Sequence, residues 1–265
     1  MTTLRLAIVQ ARVTSTRLPG KVLSDICGEP MLMRQIARIR AAATIDRVVV
    51  ATSDDASDDP LAELCQARGV DVHRGSLDDV LDRFRATARA FAGDIVVRLT
   101  GDCPLSDPVV IDRVMRAFEA SDCDYASNIL RPTFPDGLDV EVMSLSTLER
   151  AWESARLASE REHVTPYIYK HPEIFRLHGV EHSRDLSALR WTVDTAADLA
   201  FVRQVFSALL PRAPGFGMQD VLSLLAERPE LATLNAGTRR NEGYERSLAR
   251  DSGATGMTAD EEDRT

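Results

Sequence analysis

The chain has 265 residues, with 32 Lys+Arg against 41 Asp+Glu, a formal net charge of −9 and 44% hydrophobic residues. That balance excludes a disordered or collagen-like chain, and the acidic surplus argues against a dedicated nucleic-acid binder while leaving room for a local cationic pocket. No apolar run approaches the roughly 18 residues that span a bilayer. The N-terminus has no small-residue cleavage site, and Cys27, Cys65, Cys103 and Cys123 form no CxxC pair, so a cytoplasmic chain with reduced thiols is expected.

In chain order, residues 4–10 (LRLAIVQ), 47–52 (RVVVAT), 70–74 (VDVHR) and 94–100 (DIVVRLT) read as strands. They are apolar runs rather than alternating ones, as strands of a parallel sheet covered on both faces should be. Glu29-Pro30, Asp59-Pro60 and Asp107-Pro108 each place a proline at the first position of an intervening helix, and the two aspartates suit N-caps. Strand–helix repetition predicts right-handed crossovers. Further on, 138–144 alternates like a half-buried strand, and Ser146 with Glu149 has capping-box spacing for a helix over 146–156. Residues 175–181 and 190–194 read as strands, Thr195 with Asp198 opens a helix to about 209, and 218–226 is helical. One domain over 1–248 is expected, with a disordered acidic tail at 249–265.

The first strand runs into Ala11-Arg12-Val13-Thr14-Ser15-Thr16-Arg17-Leu18-Pro19-Gly20-Lys21. Open α/β sheets bind ligands at the carboxyl ends of their strands, where amides and cations suit a polyphosphate. The alternative is a solvated basic loop. Neither GxxxxGK[ST] nor GxGxxG is present. After the 94–100 strand, Thr100-Gly101-Asp102-Cys103-Pro104 offers a carboxylate that either holds a hard divalent cation beside a phosphate or orders a turn. Asp194 precedes a capped helix, where a carboxylate also favours the helix dipole. Cys103 reads as a packing residue, and His73, His171, His178 and His182 show no metal-ligand spacing.

The run Gln10-Ala11-Arg12-x-x-Ser15-Thr16-Arg17-Leu18-Pro19-Gly20-Lys21 after a first strand resembles the cytidylyltransferase family that makes CMP-activated sugar acids. The segments Pro135-Asp136-Gly137-Leu138-Asp139-Val140-Glu141, Glu160-Arg161-Glu162-His163-Val164-Thr165-Pro166-Tyr167 and Asn241-Glu242-Gly243-Tyr244 are similar to its spore-coat polysaccharide branch. The resemblance implies a GT-A-like α/β nucleotidyltransferase fold with a mostly parallel sheet. CTP would bind at the first loop, with Arg12 and Lys21 on the triphosphate and Gln10, Ala11, Ser15 and Arg17 supporting. Thr52 and Ser53 would serve base or ribose, or form a polar turn. Arg74 and Ser76 would face the cytosine, while Asp78 and Asp79 equally suit a helix N-terminus. Asp102 and Asp194 would hold Mg²⁺, making Arg12, Lys21 and Asp102 the catalytic set. Asp136, Glu141, Arg161 and His163 would meet an acidic acceptor, in a segment of about 130–185 that also serves a homodimer. A sugar-1-phosphate nucleotidyltransferase, a GT-A glycosyltransferase and a non-catalytic nucleotide-binding protein are the alternatives.

Overall fold

The structure, a computed structural model, describes residues 3–236, 240 and 242–259, with the backbone alone for 253–259. From the N-terminus, β1 (Arg5–Gln10) is followed by the loop and a 3-10 turn, then a small hairpin of β2 (Asp25–Ile26) and β3 (Glu29–Pro30). Next come α1 (Met31–Ile39), β4 (Arg47–Ser53), α2 (Asp59–Ala67), β5 (Asp71–Gly75), α3 (Val80–Ala90), β6 (Ile95–Thr100) and α4 (Pro108–Ala120). The second half holds β7 (Tyr125–Ser127), β8 (Glu141–Ser144), α5 (Leu145–Ser154), α6 (Ala158–His163), α7 (Pro166–Lys170) and β9 (Leu177–Gly179). Three further helices complete it: α8 (Ala196–Leu209), α9 (Met218–Glu227) and α10 (Glu242–Ala259).

The main sheet has seven strands in the order β5-β4-β1-β6-β8-β7-β9. Strands β5, β4, β1 and β6 are parallel, β8 runs antiparallel to both its neighbours, and β7 pairs parallel with β9. Alternate residues of β1 feed two cores: Ala7 and Val9 pack with α1, α4 and α8, while Leu6 and Ile8 pack with α3 and α5. From β1 the chain first builds outward to β4 and β5, then crosses back to lay β6 on the other side of β1. The crevice at the carboxyl ends of β1 and β6 is therefore the topological switch point, the place where such sheets bind ligands. Gln10 stands opposite Thr100 there. Gly101 is required for the closure, because a Cβ at that position would sit 2.8 Å from the Ala11 Cβ and 2.9 Å from the Gln10 carbonyl oxygen.

The four early strands, the Asp107 cap of α4 and the Thr195–Asp198 capping box of α8 match the sequence expectations. Other expectations shift. Pro30 is the N-cap of α1 rather than its first residue, because the β2–β3 hairpin holds it extended. In α2 the cap position falls on Asp58, and Asp59 is the first helical residue. The α5 helix is capped by Ser144, whose hydroxyl accepts from the Thr147 amide, two residues before the predicted Ser146. Residues 190–194 form no ladder strand, only a bridge from Arg190 to Asp136. Their amides are divided between two loops: Trp191 N donates to Asp136 O and Val193 N to Asp102 O. The helix α10 runs to Ala259, so residues 249–259 are helical backbone where the acidic composition predicts disorder. Residues 260–265 lie outside the described chain. Among the described residues, no helix is long and apolar enough to cross a membrane.

Candidate active site

The loop after β1 is shaped by a buried residue from the next crossover. Asp58, fully inaccessible, accepts from the Val13 amide at 2.6 Å, the Ser53 amide at 3.1 Å and the Ser53 hydroxyl. Gly20 takes a left-handed φ of 72° and turns the chain so that Lys21 points back under the crevice. The ammonium of Lys21 donates to Asp102 Oδ2 at 3.2 Å, Asp194 Oδ1 at 3.0 Å and the Val193 carbonyl at 2.7 Å. Two carboxylates 92 positions apart in sequence thus meet on one nitrogen. They are brought together by the backbone bond from Val193 N to Asp102 O, at 2.8 Å, and by the Thr192 hydroxyl on the same carbonyl. Arg17 adds a second cation on Asp194, at 2.8 Å, and reaches Glu242 of α10 at 2.9 Å.

The electrostatics derive from this geometry. Burial opposes the Asp102 charge, but Lys21 and the Thr100 hydroxyl outweigh it and hold the carboxyl down at about 2. Burial likewise opposes the Lys21 charge, and Asp102 and Asp194 more than restore it, so its pKa is raised. Cys103 lies between Thr100 and Thr192, and burial beside Asp102 pushes its thiol well up, which makes it a packed thiol rather than a nucleophile.

Two cavities meet at this carboxylate pair. The first, about 420 Å³, is lined by Gln10, Ala11, Arg12, Ser15, Arg17 and Lys21 from the loop, Arg83 from α3, and Arg246 and Arg250 from α10. The second, about 240 Å³, is lined by Asp136, Asp139, Glu141, His163, Tyr169 and Arg190. Arg17, Arg98, Asp102, His163 and Asp194 line both. Every loop residue expected on the nucleotide is therefore in one place, and Asp136, Glu141 and His163 are together in the other.

Five expected residues stand elsewhere. Thr52 and Ser53 are fully buried at the end of β4 and line neither cavity, Ser53 being held by Asp58. Arg74 spends its guanidinium on the Ser53 and Asp55 carbonyls, each at 2.9 Å, and on Asp59 at 2.7 Å. The Ser76 hydroxyl accepts from the Asp79 amide at 3.0 Å. Asp79 caps α3 and pairs with Arg161, which also donates to the Trp152 carbonyl, so Arg161 ties α6 to α3 and lines neither cavity.

Three arginines outside the sequence expectations enter the site. Arg98, inside the apolar run of β6, pairs with Glu141 and reaches Gln10 Oε1 at 3.2 Å; Glu141 also accepts from the Tyr125 hydroxyl at 2.6 Å and the Thr165 hydroxyl at 2.5 Å. Arg190 holds Asp136 at 3.0 Å, Asp194 at 2.8 Å and Asp198 at 2.9 Å. Arg83, 3% exposed, is pulled down to about 10 by burial and remains charged at neutral pH, and its Nε has no hydrogen-bond partner. Its signal was periodicity: Val80, Arg83, Phe84 and Thr87 form the buried face of α3, with an arginine at an apolar position. Arg98 had a similar signal, a charge within a strand run.

Two carboxyls of the acid-lined cavity are raised. Burial, with Asp136 and Glu141 adding, lifts Asp139 to about 7 against its partner Arg240, and burial also raises Asp136. His163, in α6, bonds Ser247 of α10 at 3.0 Å, and burial with Arg98 nearby lowers its pKa to about 4 in spite of Glu162.

The sequence profile of the cytidylyltransferase family matches residues 6–211, so the chain belongs to that family. The chain is 35% identical to the spore coat polysaccharide biosynthesis protein SpsF of Bacillus subtilis over 86% of its own length and 96% of that protein. It is 33% identical to the mitochondrial 3-deoxy-manno-octulosonate cytidylyltransferase of Arabidopsis thaliana over 50% of this chain and 46% of that one. A solved cytidylyltransferase from Leptospira borgpetersenii superposes with a TM-score of 0.84 at 32% identity, covering 90% of this chain and all of that one.

Proposed function

We propose that this cytidylyltransferase moves CMP from CTP to a hydroxyl of a sugar acid, releasing pyrophosphate, as a step in surface polysaccharide synthesis. The observation that carries the reading is the Lys21 ammonium bridging Asp102 and Asp194 at the wall between a cationic cavity and an acid-lined one. The relatives support it: one is named for spore coat polysaccharide synthesis and another for CMP transfer to a sugar acid.

CTP lies in the larger cavity, its β- and γ-phosphates against Arg12, Arg17 and Lys21. The acceptor lies in the smaller cavity, its hydroxyls directed at Asp136, while Glu141, whose oxygens are taken by Arg98, Tyr125 and Thr165, holds the wall in place. Its reacting oxygen attacks the α-phosphorus in line: an O–P bond forms, the Pα–O bond to the β-phosphate breaks, and the electron pair leaves with pyrophosphate. The hydroxyl proton passes to water. The cations neutralise the leaving group, and positioning by two rigid walls accounts for most of the remaining acceleration. By donor chemistry Asp102 and Asp194 would hold a Mg²⁺ ion beside the phosphates: they are two hard oxygen groups, which in this structure meet on the Lys21 ammonium. Such an ion supplies charge neutralisation at the phosphates and a Lewis acid for the transferring group.

The test is a pyrophosphate-release screen of CTP, UTP, ATP and GTP with Mg²⁺ against a panel of sugar acids. Release from CTP alone with at least one sugar acid is expected. Equal use of UTP or ATP with a sugar 1-phosphate would replace this reading.

A further inference from the structure

We propose that α10 is part of the nucleotide site, with Arg246 and Arg250 contacting the phosphates of bound CTP. The inference rests on the CTP reading above but assigns residues that lie beyond the family match, which ends at residue 211. The two arginines are one helical turn apart, hence on one face of α10, and both line the 420 Å³ cavity together with Arg12. Neither makes an ion pair among the described residues, and nor does Arg12. The other cations near the carboxylate pair differ: Arg17, Lys21, Arg98 and Arg190 each hold an acid.

The helix is docked without help from these arginines. Glu242 pairs with Arg17, the Ser247 hydroxyl meets His163 and donates to Glu162 at 2.8 Å, and Asp251 accepts from the Ser159 amide at 3.3 Å. Ser247 is 4% exposed, so this face of the helix is buried against α6 while Arg246 and Arg250 remain exposed. The carboxylates on the cavity wall are engaged: Asp102 and Asp194 by Lys21, Glu162 by Ser247. Arg246 donates its Nε only to the Glu242 carbonyl of its own helix, at 3.3 Å, and guanidinium groups without a carboxylate partner gathered around one cavity repel each other until a polyanion fills it. A triphosphate supplies that charge and accepts the donors of a guanidinium in bidentate fashion.

The experiment is calorimetric titration of the full chain with CTP and, separately, with inorganic tripolyphosphate, for the native chain, R246A/R250A and R246K/R250K. Loss of about tenfold in affinity for both probes in the alanine variant is expected, as two exposed charged contacts warrant. The lysine variant should recover part of it, and the salt dependence of binding should weaken in the alanine variant. Unchanged affinity in R246A/R250A overturns the inference. So does a loss for CTP that is absent for tripolyphosphate, which would place these arginines away from the phosphates. If the double variant does not fold, R246A and R250A singly replace it, each expected to lose about threefold. Native chain that binds tripolyphosphate through these arginines but not CTP removes the CTP reading, and with it the contact to CTP, and leaves α10 as the wall of a polyphosphate site only. Native chain that binds neither probe removes both.

Discussion

In the larger cavity Arg12, Arg246 and Arg250 carry no carboxylate partner among the described residues, whereas in the smaller one Arg98 is tied to Glu141 and Arg190 to Asp136, Asp194 and Asp198. The first wall has charge left over for a ligand; the second has neutralised itself and offers mainly hydrogen-bonding oxygens. A site with surplus cations binds by charge and tolerates variation in the ligand beyond its phosphates. One whose charges cancel internally selects by shape and by the pattern of hydroxyls.

The contrast has consequences of graded size. Removing a scaffold acid from the self-neutralised wall should hurt folding. Glu141→Ala leaves Arg98 without its partner and strands the Tyr125 and Thr165 hydroxyls, so stability should fall by about 3–5 kcal/mol in urea titrations. A loss below about 1 kcal/mol would mean that this wall is not held by its ion pairs. At the shared wall the effect should be on rate instead: Asp102→Ala should lower kcat by about 10²–10³-fold in pyrophosphate release. Near-normal turnover would remove Asp102 from the chemistry. On the cationic wall, Arg12→Ala should raise KM for CTP about tenfold, while Arg74→Ala, whose guanidinium is spent on Ser53, Asp55 and Asp59, should leave it within about twofold. Equal effects would put Arg74 back on the nucleotide.

A further effect is a pH dependence. Burial and Arg98 hold the His163 imidazole near 4, against an ordinary value of 6.5. Between those values the unfolded chain takes up a proton that the folded one refuses. The contribution of a neutral His163 is therefore complete above pH 6.5 and declines as the pH falls towards 4. The native chain should lose more stability than His163→Gln across that interval, and its His163 NMR resonance should not titrate near 6.5.

Local chemistry made much of this fold legible. Buried parallel strands are apolar runs, Asp107-Pro108 and Thr195–Asp198 cap helices by spacing alone, and a basic loop after β1 lies where such sheets bind ligands. The features that stayed hidden depend on distant partners. The 190–194 segment has a strand's composition, but its amides serve the Asp102 and Asp136 loops, and no neighbouring strand is left for it. Arg74 and Arg161 look like ligand-binding cations until their acceptors, all from other segments, are in view. Arg190 obeys no periodic rule; it matters because three aspartates converge on it.

The decisive measurement is anomalous scattering from crystals grown with CTP and Mn²⁺ in place of Mg²⁺. One Mn²⁺ held by both Asp102 and Asp194 together with phosphate oxygens, and a triphosphate lying along Arg12, are expected. Metal bound by neither aspartate, or a nucleotide seated away from the crevice between β1 and β6, would contradict that arrangement.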